Sequence, residues 1–123
     1  MRKMKRRYIE ILRIELEDLK EDLELLIEES KRDRRDGCLT DHVFFANLAL
    51  FKNELLGVNT FFKIVNEIDP EEFEDVNALV GHLRTVFREK VKFYDLAEAI
   101  NVCVERKLMK VARYVTQGPE NTV

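Results

Sequence analysis

At 123 residues and a formal charge of -3, the chain is one domain's worth, and its near-balanced charge excludes a protein cationic over its whole surface. Hydrophobic residues make up 46 % and charged residues 37 %, with only four Gly and two Pro, which is the composition of long helices with one dry and one wet face. Two widely separated cysteines, Cys38 and Cys103, make no disulfide framework and point to a reducing, cytoplasmic compartment.

Residues 1–7 form a basic N-terminal extension containing Arg2, Lys3, Lys5, Arg6 and Arg7. Glu10, Arg13 and Glu15 interrupt the apolar residues that follow, so no signal-peptide core is expected. From about Tyr8 to Asp36, Ile9, Leu12, Leu16, Leu19, Leu23 and Leu26 recur at alternating spacings of three and four. This heptad seam predicts a long helix packed along one or two parallel partners, ended by Gly37 in a left-handed position.

Thr40 or Asp41 is placed to cap a second helix. Its apolar face runs through Phe44, Leu48, Phe51, Leu55, Val58, Phe62 and Val65, and Phe45, Ala49, Leu50, Leu56, Phe61, Ile64 and Ile68 widen it. A surface this broad needs neighbours on several sides, and the other segments are expected to form around it. Polar residues such as Asn47, Lys52, Glu54 and Lys63 exclude a membrane span. Gly57 in mid-helix predicts a close helix crossing.

The run Asp69, Pro70, Glu71, Glu72 carries a cap, a first-turn proline and a glutamate able to reach back, so a third helix is predicted from Pro70 with a bend before Asp75. Val76, Leu79, Val80, Leu83, Val86, Phe87 and Val91 form its buried face. Asp95 to Glu98 repeats the capping pattern and predicts a break near Lys92–Asp95, followed by a fourth helix to about Thr116. Ile100, Cys103, Val104, Leu108, Val111, Ala112 and Val115 line that helix. The alternative is three long helices, with residues 70–116 largely continuous. Residues 117–123 form a frayed tail. The expected architecture is a single all-α domain over 1–123, an antiparallel up-down bundle of four helices.

No residue set points to catalysis, a metal or a cofactor. The Glu-x-x-His pairs of carboxylate-bridged metal bundles are absent, because Leu39 and Leu79 stand three positions before His42 and His82. In an up-down bundle Cys38, His42, His82 and Cys103 do not converge, and Cys103 reads as a small core residue.

Charge layout is the remaining signal. A basic start precedes an acidic block from Glu15 to Glu29, and Lys31, Arg32, Arg34 and Arg35 follow. The start can be neutralised by the acidic turn around Glu71 within the chain. It can instead face the acidic middle of a second copy in an offset antiparallel pair, or join Arg106, Lys107, Lys110 and Arg113 in a patch for phosphates. The function expected is therefore a non-enzymatic interaction or assembly module. It is expected to form a homo-oligomer, a dimer, through apolar helix faces, with Leu12, Leu16, Leu19, Leu23 and Leu26 as the contact seam. The alternatives are a small regulatory nucleic-acid-binding protein, using Lys3, Lys5, Arg6, Arg7, Arg106, Lys107, Lys110 and Arg113, and a bundle holding a small apolar ligand.

Overall fold

A computed structural model describes residues 2–118, with side chains from Met4 onward, so the side chain of Lys3 in the predicted patch and residues 119–123 of the predicted tail lie outside what is described. Four helices follow one another: α1 (Arg2–Arg35), α2 (Asp41–Glu67), α3 (Val76–Phe93) and α4 (Glu98–Gln117), with a 3-10 turn at Pro70–Glu72 between α2 and α3. They pack as the up-down four-helix bundle expected, α1 against α2 and α4, and α3 against α4 and α2. No strand occurs among the described residues.

The hydrophobic effect is satisfied chiefly by α1, α3 and α4. Leu12 and Leu16 from α1, Leu79 and Leu83 from α3 and Val104 and Leu108 from α4 are fully buried together with Val58, Phe61 and Val65 of α2. Phe61 and Phe87 meet with ring centres 4.9 Å apart, an arrangement that adds a directional term to burial.

Each helix end has a local cause. Gly37 (φ 77°) takes the left-handed position after α1; Cys38 N–H donates to Asp33 O and Gly37 N–H to Arg34 O, the bond pair of a Schellman end. Thr40 Oγ1 accepts from Val43 N–H at 3.2 Å and opens α2. Asp69 caps only the 3-10 turn, through Glu71 N–H, and α3 begins at Val76, where Asp75 accepts from Ala78 N–H. The helix predicted from Pro70 is thus shorter at its start, interrupted where Phe73 is extended.

The α3–α4 break lies where the four-helix reading puts it, but not for the reason the sequence offered. Asp95 is no cap: it adopts φ 52°, and Leu96 N–H donates to Val91 O while Asp95 N–H donates to Lys92 O, a second Schellman end with aspartate in the glycine position. This turn rules out the continuous helix over 70–116. The residue capping the next helix has no side-chain cap of its own and is steadied from elsewhere, because Ala97 N–H donates to Asn53 Oδ1 of α2 at 2.8 Å.

Two further expectations are corrected. The helix begins at Arg2, so the basic residues form the first turns of α1 and not an extension. The strict heptad seam also fails at its upper end, where Ile27 is buried and Leu26 is 40 % exposed. Buried positions Leu12, Leu16, Leu23, Ile27 and Ser30 follow the 3.6-residue period of a straight helix, and a 3.5-residue pattern drifts off that face by about 20° per heptad.

Candidate functional site

The lengths of the helices create the feature of most functional interest. At 1.5 Å per residue, α1 and α2 are about 51 and 40 Å long, against roughly 27 and 30 Å for α3 and α4. The Asn53–Ala97 hydrogen bond sets the level at which α4 begins. Above it, the first half of α2 and the last third of α1 continue alone as a two-helix arm ending at Gly37.

The arm carries apolar side chains that nothing in the chain covers. Val43, Phe45 and Leu50 of α2 are 42, 53 and 45 % exposed, and Leu56, just below the step in a groove shared with Lys90 and Tyr94, is 50 % exposed, values far above those of the core. They divide between two stripes. Val43, Leu50, Gly57 and Ile64 succeed one another at seven-residue intervals and so share one side of α2, within about 20° per step. Gly57 is buried against Ile100 of α4, and Ile64 packs on the core. Val43 and Leu50 therefore belong to the face that α4 meets lower down, left bare where α4 has ended. Phe45, Ala49 and Leu56 form the second stripe on the outer side. Arg34 lies over the Phe44 and Phe45 rings, 4.7 and 4.9 Å from their centres, and pairs with Asp41 at 3.0 Å.

The helix expected to be sheathed on several sides is thus sheathed over its lower half only. Of its predicted face, Phe44, Val58 and Val65 are buried, whereas Leu48, Phe51, Leu55 and Phe62 are half-buried.

The predicted contact seam of α1 is drawn into the chain's own core. Leu12, Leu16 and Leu23 are buried, Leu19 is half-buried, and only Leu26 is exposed, next to an exposed Leu25. Cys103, read as a core residue, is exposed on α4, as is Cys38 at the arm's tip; the polar Asn101 is buried in its stead. Among the described residues no group of three or more His, Cys, Asp or Glu is placed to hold a metal ion, and no helix is long and apolar enough to cross a membrane.

The basic residues at the opposite end are gathered together and largely engaged. Buried Lys5 donates to Phe73 O, Arg6 lies 3.8 Å from Glu71, and Arg7 stands over the Tyr114 ring at 5.6 Å. Lys107 and Lys110 both donate to Glu15, at 3.2 and 2.7 Å. These bonds hold the Glu15 carboxyl below its ordinary value, the Lys110 bond most, although its burial opposes them. Of the predicted patch, Arg106 and Arg113 keep exposed side chains without a described ion pair. An open groove of about 260 Å³ between α1 and α4 is lined by Ile11, Glu15, Lys110, Val111 and Tyr114, away from the Phe-rich side of α2.

Asn53 was not legible as a site residue. In the sequence it is one polar residue inside an apolar run, and only the turn brought beside it gives it a role. Compared with known proteins, the chain matches no family model, no curated protein and no solved structure.

Proposed function

We propose that the chain is a non-enzymatic protein–protein interaction or assembly module that works through the bare apolar faces of the α1–α2 arm. Its first use of them is self-association into a dimer, in a reducing, cytoplasmic compartment suited to the unpaired Cys38 and Cys103. One observation carries this reading: the most apolar helix leaves Phe45, Leu50 and Leu56 about half exposed, whereas α1, α3 and α4 supply most of the fully buried side chains. Clustered exposure of large apolar side chains marks interaction surfaces on soluble proteins. The outer stripe suits a second copy, because charges of both signs stand at its upper end: Lys31 and Arg35 line a groove with Asp41 and Phe44, and Lys31 pairs with Glu28.

The test is molar mass by light scattering over a hundredfold range of concentration. The mass rises toward twice the chain's 14.6 kDa, persists in 1 M salt because apolar burial is not screened, and falls to the monomer value in Phe45→Glu/Leu56→Glu. A single-chain mass at every concentration contradicts self-association. The nucleic-acid reading is weaker, since Lys5, Arg6, Lys107 and Lys110 are committed to partners within the chain; it predicts binding that declines steeply with salt.

A further inference from the structure

The inner face of the arm has its own chemistry, and it differs from that of the outer stripe. Below the step, α4 packs beside α1 and α3 and crosses α2 at Gly57, so it touches both helices of the arm in two ways. Its Ile100 fills the space over Gly57 of α2, and its Lys107 and Lys110 reach Glu15 of α1. Above the step the same two tracks continue without an occupant. On α2 the Gly57 track leads at seven-residue intervals to Leu50 and Val43, both exposed. On α1 the Glu15 track leads to Asp22 and Glu29, and the Leu12 and Leu19 track to Leu26 and Asp33. Asp22, Glu29 and Asp33 are exposed and have no described partner.

We propose that this inner face docks an amphipathic helix of another protein, one that carries lysine or arginine along one edge. The proposal rests on the reading of the arm as an interaction surface and names the partner. The chain's own α4 is the template: Ile100 toward Gly57 of α2, Lys107 and Lys110 toward the Glu15 carboxylate of α1. The arm from Asp41 to Asn53 offers roughly 20 Å, enough for three to four helical turns. A second copy suits this face poorly, because pairing two inner faces sets Asp22, Glu29 and Asp33 against their own duplicates, and like charges at a forming interface are unfavourable. The chain's own basic start is also held in place by Phe73 and Glu71.

The probe is a synthetic 20-residue helical peptide of Ala and Leu with lysines along one edge, titrated calorimetrically into the full chain beside a sister peptide with Glu in place of each Lys. The Lys peptide binds at least tenfold tighter than its sister. Glu29→Lys/Asp33→Lys weakens it tenfold or more, and so does Leu50→Asp, with circular dichroism melting to verify the fold of each. Glu72→Lys/Glu74→Lys, which changes charge equally at the far end, leaves binding within twofold. Equal binding of the two peptides, no binding of either, or equal weakening by the far-end pair overturns the proposal. So does a chain that doubles its mass unaided and becomes monomeric in Glu29→Lys/Asp33→Lys, since that gives the face to a second copy. Self-association through the outer stripe is read separately by light scattering, so either result can fail while the other stands.

Discussion

Ile100 of α4 occupies the space that a side chain on Gly57 of α2 would need: a Cβ built there stands 2.8 Å from Ile100 Cγ1 and 3.0 Å from Cγ2. The close crossing expected from a mid-helix glycine is present, and its partner is named. Gly57→Ala gains about 1 kcal/mol of helix propensity but drives a methyl into a β-branched side chain with little freedom to turn. Overpacking of this kind costs about 1–3 kcal/mol, so a net loss is expected in urea melts. In an Ile100→Ala background the same change becomes neutral or stabilising, a coupling that a double-mutant cycle measures.

At the far end of the bundle, Lys5 and Arg6 are neighbours in sequence with unequal work. Lys5 is buried and donates to Phe73 O, whereas the Arg6–Glu71 pair is long and its guanidinium mostly exposed. Lys5→Ala is expected to lower stability by about 1–3 kcal/mol, leaving a carbonyl without its donor. Arg6→Ala should change it by about 0.5 kcal/mol or less. Equal effects would mean that the basic start acts through net charge alone.

Tyr8 is fully buried and its hydroxyl donates to Leu108 O at 3.1 Å. Burial raises its ionisation well above the ordinary 10.0, because the phenolate has lost its water. Its pKa is raised on folding, so its stabilising contribution is whole below pH 10 and is lost as the pH climbs past that value. Tyr8→Phe should cost about 1 kcal/mol at neutral pH. It should also flatten the alkaline fall in melting temperature relative to the parent chain.

Glu15 behaves with the opposite sign. The Lys110 bond, chiefly, and the Lys107 bond hold its pKa below the ordinary 4.5, so its contribution is present above that value and disappears as the pH falls below it. Glu15→Gln is expected to cost about 1 kcal/mol at pH 7, discounted because Lys110 is well exposed. The difference from the parent should close in acid melts and shrink in 1 M salt.

Much of the fold was legible because apolar spacing is a local property. The face of α3, that of α4 apart from Cys103, the Thr40 cap and the Gly37 end follow from neighbouring residues alone. Two local signals misled. Asp95 resembles a helix cap, yet the Leu96–Val91 bond makes it the end of the preceding helix. Leu26 fits the heptad, but a straight helix brings Ile27 to the core. The candidate site was hidden for a different, long-range reason. Nothing in the run from Val43 to Leu56 says that α3 and α4 stop at Asn53, and an exposed apolar stripe reads in sequence like a buried one.

The most direct measurement of whether the arm's apolar faces are working surfaces is backbone hydrogen exchange, followed peptide by peptide across a hundredfold range of chain concentration. If they are, exchange slows at high concentration in segments spanning residues 43–56, with α3 and the lower half of α4 unchanged. Exchange that is identical at every concentration, or slowing confined to the basic end, would contradict that reading.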